Sequence, residues 1–145
     1  MDHELTLTVS KTIDAPRADV WRALTDKELI QQYFYGTEAE SDWEEGSPIT
    51  FTGTWEGEKY VDKGTIIEKK RERLLKFSYL SSMSGLEDQP ENYAEITYRL
   101  EKENGKTILS VTQQGFKDKE AYDHSTQGWE EVLGNLKALV EGLRN

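Results

Sequence analysis

The residues Trp129, Val132, Leu133, Leu136, Leu139, Val140 and Leu143 recur at steps of three, one, three, three, one and three. That spacing draws one apolar stripe along one face of a long helix, with Glu130, Glu131, Lys137, Glu141 and Arg144 largely off it. A stripe of this kind is stable only against another apolar surface. The rest of the chain must supply that surface, and the segments upstream carry the period of strands.

From Glu4 to Ile13, Leu5, Leu7, Val9 and Ile13 fall on one side and Thr6, Thr8, Ser10 and Thr12 on the other. This period of two predicts a half-buried strand. Asp14-Ala15-Pro16 stops it, and Pro16 suits the first turn of a helix, with Asp14 or Ala15 near the cap. Val20, Trp21 and Leu24 share one helical face; Asp26 can cap a second short helix carrying Leu29, Ile30, Tyr33 and Phe34, which Gly36 ends.

The middle of the chain alternates again. Ile49, Phe51, Gly53 and Trp55 make one strand, Glu56-Gly57-Glu58 a turn, and Tyr60 to Lys69 the next strand, with Gly64 as a bulge or close-approach point. Leu75, Phe77 and Tyr79 form another. Ser81 to Pro90 reads as a loop. Ala94, Ile96, Tyr98 and Leu100 pair through Asn104-Gly105, a strong hairpin signal, with Leu109, Val111 and Gln113. Adjacent strands joined by tight turns make an antiparallel meander. The expected architecture is α+β: a curved antiparallel sheet of six or seven strands, two short helices after the first strand, and a long C-terminal helix across the sheet. One domain over 1–145 accounts for the whole chain, which is long enough for a substantial core.

The stretch IDAPRADVWRALTDKELIQQYF, Ile13 to Phe34, resembles the opening of the helix-grip superfamily, which includes START domains and the birch-pollen-allergen type. More narrowly, Ala15, Pro16, Val20, Trp21, Ala23, Leu24, Thr25 and Asp26 resemble the strand-to-helix entry of one family. That family is named after the C-terminal domain of the activator of the 90-kDa heat-shock-protein ATPase. Trp43 to Gly53, with Tyr60, Gly64 and Ile66, is similar to its central strands; Ile96 to Phe116 and Gly128 to Glu141 are similar to its last hairpin and closing helix. Two positions depart from the pattern. Tyr33-Phe34 stands where family members often carry Trp-Phe, and Lys70-Arg71-Glu72-Arg73 replaces a proline-bearing turn. In the two-domain eukaryotic activator a separate N-terminal domain binds the chaperone, and this chain is expected to have no room for one. A chaperone partner is therefore suggested by the family name and supported by no residue pattern. Isolated single-domain members resemble ligand binders.

A curved sheet crossed by one helix leaves a gap unless bulky side chains plug it. The concave side is expected to receive Phe51, Trp55, Phe77, Tyr79 and Tyr98 from strands and Trp129, Leu133 and Leu136 from the helix, with Tyr33, Phe34 and Trp43 near one end. Gln113 faces inward by parity and is the candidate polar anchor. Aromatic walls with a few isolated polar groups suit a small apolar or aromatic ligand. The same residues could instead pack together and leave no hole. Gly128 is either a tolerated surface glycine or a point where a ligand approaches beside Trp129.

Charge and composition narrow the partners. The net charge is −10, which opposes phosphate backbones and anionic lipid, so neither nucleic acid nor a membrane is an expected partner. The one basic run, Lys69-Lys70-Arg71, reads as a turn between strands. With no cysteine, disulfides, thiol nucleophiles and thiolate metal sites are excluded. The polar start Met1-Asp2-His3-Glu4 lacks the form of a signal peptide, which makes the cytoplasm the default location. His3 is expected on a frayed terminus and His124 near the cavity mouth, without a triad or carboxylate pair around it. Glu38, Glu40, Asp42, Glu44 and Glu45 read as a solvated acidic loop. No catalytic residue, metal or cofactor is expected, and the oligomeric state is expected to be a monomer or weak dimer. The alternatives are a protein-interaction module and a cyclase- or hydrolase-like enzyme using the same pocket, as some helix-grip proteins do.

Overall fold

The computed structural model describes residues 1–143. Arg144, read above as a polar-face residue, and Asn145 lie outside the described residues. Among the described residues seven strands form one antiparallel sheet: β1 (Asp2–Ile13), β2 (Glu38–Ser41), β3 (Pro48–Trp55), β4 (Glu58–Lys70), β5 (Leu74–Tyr79), β6 (Ala94–Glu103) and β7 (Lys106–Phe116). Their spatial order is β1-β7-β6-β5-β4-β3-β2. The helices are α1 (Arg17–Thr25), α2 (Lys27–Tyr33) and α3 (Lys119–Leu143), and a short 3-10 turn covers Pro90–Asn92. The α+β helix-grip architecture expected from the sequence is the one observed.

The local signals act where they were read. The Asp26 side chain accepts from the amides of Glu28, at 2.9 Å, and Leu29, at 3.4 Å, and so starts α2. Asn104 has a positive φ of 50° and Gly105 one of 80°, as the β6–β7 turn requires. At α1 the expectation shifts by one or two residues: Pro16 itself is the cap, with no side-chain cap bond.

The sheet bends within β4. Its first half pairs with β3 and its second half with β5. Between the two, Gly64 lies so close to β5 that a Cβ there would sit 1.6 Å from the Ser78 carbonyl oxygen. The Thr65 amide bonds the Ser78 hydroxyl at 3.0 Å. Gly64 is the close-approach point, and no larger residue fits without moving β5.

Three expectations are corrected. The acidic stretch is not all loop: Glu38–Ser41 pairs with β3 as an edge strand, with Ala39 buried against the core and Glu38 and Glu40 exposed. Alternation with one small apolar residue is too faint a signal for a strand, and pairing with β3 supplies the rest. His3 is not frayed but lies in β1, with a ring nitrogen 2.6 Å from the Glu91 carbonyl oxygen. The closing helix starts at Lys119, ten residues before the apolar stripe, where the Asp118 side chain accepts from the Ala121 amide at 2.8 Å.

The core lies under the C-terminal half of α3. Leu133 and Leu136 are completely buried and Val140 nearly so, beside Val9 and Ile13 of β1, Leu109 and Val111 of β7 and Val20 and Leu24 of α1. Removing a fully buried leucine here costs about 2–5 kcal/mol. A polar clamp closes the end of this packing. The Glu141 carboxylate accepts from the Asp14 amide at 2.8 Å and from the Lys137 ammonium at 2.6 Å, and Lys137 also reaches the Thr12 carbonyl at 2.7 Å.

The amide of Asp14, then Lys137, hold the Glu141 carboxyl below its ordinary pKa. A depressed pKa in the folded state means stability that is present above the unfolded value, about 4.3, and lost as pH falls through the folded value. Urea denaturation of Glu141→Gln should therefore show its full loss of stability at neutral pH. The gap to the parent should narrow as the pH drops below about 4.

Candidate functional site

Along the N-terminal half of α3, helix and sheet do not close fully on one another. A space of about 950 Å³ lies between them, walled by α2, β3 to β7 and residues 118–132. The side chains that α3 turns toward it explain why it is open: Ala121, Ser125 and Gly128 are small and recur at steps of four and three, on one helical face. A Cβ built on Gly128 meets no atom within 4 Å.

Opposite this face stands a connected set of rings. Phe51 of β3 touches Phe77 of β5, with centroids 5.9 Å apart, and Tyr79 at the same distance. Phe77 meets Tyr98 of β6 at 6.1 Å, and Tyr98 meets Trp129 edge-on at 6.0 Å. Phe34, at the end of α2, meets Trp129 edge-on at 6.0 Å, and Tyr33 lies 6.3 Å from Phe34. Such edge and tilted contacts are the favourable geometries for aromatic quadrupoles. The contacts among Phe51, Phe77, Tyr79 and Tyr98 hold those rings along the sheet wall, while Trp129 joins α3 to Tyr98 and Phe34 at one end of the space.

Ten of the twelve residues expected to bind a ligand line this space: Tyr33, Phe34, Trp43, Phe51, Trp55, Phe77, Tyr79, Tyr98, Gln113 and Trp129. Leu133 and Leu136 do not. They lie one and two turns further along α3, where the helix is already pressed on the sheet. Trp55 lies at the rim and is 56% exposed, with Tyr35 and Met83, both about half exposed, beside the same opening. Tyr35 and Trp43 both line the space with positive φ, 54° and 59°. Bulky residues rarely hold that conformation, at a cost of about 1–3 kcal/mol each. The Trp43 amide is fixed by the Ser41 hydroxyl at 3.0 Å.

Polar groups punctuate the wall. The Trp129 indole N–H donates to the Gln113 Oε1 at 2.9 Å, so Gln113 is an inward polar residue of β7 that orients Trp129. The Tyr33 hydroxyl donates to the Ala23 carbonyl at 2.9 Å. Burial, followed by the neighbouring Tyr98, pushes the Tyr33 phenol well above its ordinary pKa. On β4, the buried Asp62 carboxyl accepts from the Tyr79 hydroxyl, the Ser82 amide at 2.8 Å and the Ser82 hydroxyl at 3.2 Å. Burial, followed by Asp62, raises the Tyr79 phenol well above its usual value. Beside it the hydroxyls of Thr37 and Tyr60 lie 2.6 Å apart. Gly53 makes room for that bond, because a Cβ there would sit 2.4 Å from the Tyr60 oxygen.

Asp62, Thr37 and Tyr60 escaped the sequence reading, although parity along β4 puts Tyr60 and Asp62 on the same face as Ile66. A charged residue at an inward position of a strand was the available signal. His124 lies exposed on α3 at the edge of the space. Among the described residues no cluster of His, Asp and Glu could hold a metal ion, and no helix is long and apolar enough to cross a membrane. The basic run is tied up in ion pairs: Lys69 with Glu44 at 2.8 Å, Lys70 with Glu68 at 3.5 Å and Arg71 with Glu72 at 3.8 Å.

Residues 14–141 match the family described as Activator of Hsp90 ATPase homolog 1-like protein. The chain belongs to that family. The solution structure of ChR145 from Cytophaga hutchinsonii is 36% identical, with 98% of this chain and 97% of that one covered and a TM-score of 0.83. CalU16 from Micromonospora echinospora is 25% identical over 96% of this chain and 79% of its own, with a TM-score of 0.73. CV1439 from Chromobacterium violaceum, at 22% identity and a TM-score of 0.78, covers 94% of this chain and 96% of its own and shares the fold. No curated protein matches the sequence significantly.

Replacing Gln113 by Met keeps the length of the side chain and removes the acceptor for the Trp129 indole. Gln113→Met should lower unfolding free energy in urea by about 1–3 kcal/mol, the cost of a buried donor left without a partner.

Proposed function

We propose that this member of the Activator of Hsp90 ATPase homolog 1-like family binds a small apolar or aromatic molecule between its sheet and α3. The observation that carries this reading is the combination of open volume and chemistry. About 950 Å³ is bounded by a run of rings from Phe51 through Phe77 and Tyr98 to Trp129. Volumes of roughly 300–1,000 Å³ with apolar walls and a few placed polar groups suit small-molecule sites. Each aromatic wall supplies area at no ordering cost, because the rings already rest on one another.

The polar groups support binding rather than chemistry. The Gln113 carbonyl and the Asp62 carboxyl are occupied by protein donors, and His124 stands exposed with no side-chain hydrogen bond among the described residues. Ten of the residues expected from the sequence to contact a ligand stand on these walls, which is the basis for assigning them that role here.

Naphthalene, neutral and nearly all ring, is a direct probe, because Trp43, Trp55 and Trp129 line the space and report on its occupancy. Titration should quench tryptophan fluorescence saturably at one site per chain. Ser125→Phe plants a ring in the open face of α3 and should weaken that binding roughly tenfold or more while the chain stays folded by circular dichroism. Quenching without saturation, or equal affinity in the two proteins, would contradict the proposal.

A further inference from the structure

The two most buried tyrosines of the site are treated differently by the fold. Tyr33, 3% exposed, donates its hydroxyl to the Ala23 carbonyl. The hydroxyl of Tyr98, a residue 6% exposed, makes no hydrogen bond to any described residue, although its ring is gripped by Phe77 and Trp129. Yet no buried polar side-chain atom among the described residues is both sealed off and unpartnered. The Tyr98 oxygen therefore opens onto the space that its side chain lines.

A buried phenol with no acceptor forgoes a bond that water or a guest must supply. Burial raises the Tyr98 phenol, so it keeps its proton and acts as a donor throughout the ordinary pH range. Diagonally across the β6–β7 ladder, where Tyr98 pairs with Val111 and Ile96 with Gln113, Gln113 has its Oε1 taken by Trp129, while its amide nitrogen reaches only the Gly115 carbonyl, at 3.5 Å. The deep wall thus presents donors. The charged residues around the space are mostly acidic: Asp62, Asp118, Glu120 and Glu131, against Lys117 alone. An anionic acceptor would be repelled by that surround, whereas a neutral one would not.

We infer that Tyr98 is the specificity-determining donor of the cavity and that the guest is a neutral molecule with an apolar ring body and a carbonyl oxygen directed at Tyr98. This rests on the binding function proposed above and narrows it to one chemical class. The same wall discriminates against a pure hydrocarbon, which would leave the phenol unpaired on binding.

The test compares 2-acetylnaphthalene with 2-isopropenylnaphthalene, in which a CH2 group stands in place of the carbonyl oxygen, on the full chain and on Tyr98→Phe. The parent should bind the ketone roughly tenfold more tightly than the hydrocarbon. Tyr98→Phe should erase that preference by weakening the ketone alone. Its melting temperature without ligand should stay within about 2 °C of the parent, because the lost hydroxyl has no protein partner. If both probes bind and the preference is absent or survives in Tyr98→Phe, the carbonyl assignment is overturned and the cavity reading stands. If neither probe binds the parent, both are overturned.

Discussion

Everything in this fold depends on where α3 touches the sheet. Leu133, Leu136 and Val140 press its C-terminal half onto β1, β7 and α1, and the Glu141–Lys137 clamp ties that end to the exit of β1. The N-terminal half carries the small residues Ala121, Ser125 and Gly128 on the face that lines the space, and touches the sheet through the rings of Tyr122 and Trp129. A straight rod fixed at one end against a bent surface must diverge from it at the other. The bend itself is built into β4, where Gly64 lets the strand change partners from β3 to β5.

The aromatic wall follows from that divergence. Rings facing a filled core would interlock with side chains from the helix. Here most of them lean on their neighbours within the sheet; Tyr122 of α3 meets Phe116 edge-on, and Trp129 brings another large ring from α3 to Tyr98. The Trp129 indole is held by Gln113, so this bulky residue at the point of divergence is oriented by a hydrogen bond as well as by packing. The strained backbone at Tyr35 and Trp43 lies on the same space, consistent with strain collecting where a surface is shaped for something other than the core.

Much of this was legible in the amino-acid sequence because period-two alternation and the stripe from Trp129 to Leu143 report burial directly. Asp26 and Asn104-Gly105 marked their turns through side-chain and backbone chemistry that acts locally. Strand parity likewise placed Phe51, Phe77, Tyr98 and Gln113 on the inward face. The first ten residues of α3 were invisible for a physical reason: a helix that faces an open space and solvent has no continuous apolar stripe to display. For the same reason the stripe could not say which leucines meet the sheet, and Leu133 and Leu136 were assigned to the space when they lie in the core. Edge strand β2 owes its existence to pairing with β3, and a single buried Ala39 leaves almost no trace of that. Asp62 was overlooked although its parity was readable, because a carboxyl satisfied by Tyr79 and Ser82 depends on contacts made only after folding.

The claim that the space is real and apolar can be put to a crystal directly. Xenon enters dry apolar cavities and is bound by dispersion alone, so it reports volume and lining without any assumption about the natural guest. Crystals held under xenon pressure should show ordered gas between α3 and the rings of Phe51, Phe77 and Tyr98. Anomalous maps without xenon there, with those rings closed onto α3, would contradict the account.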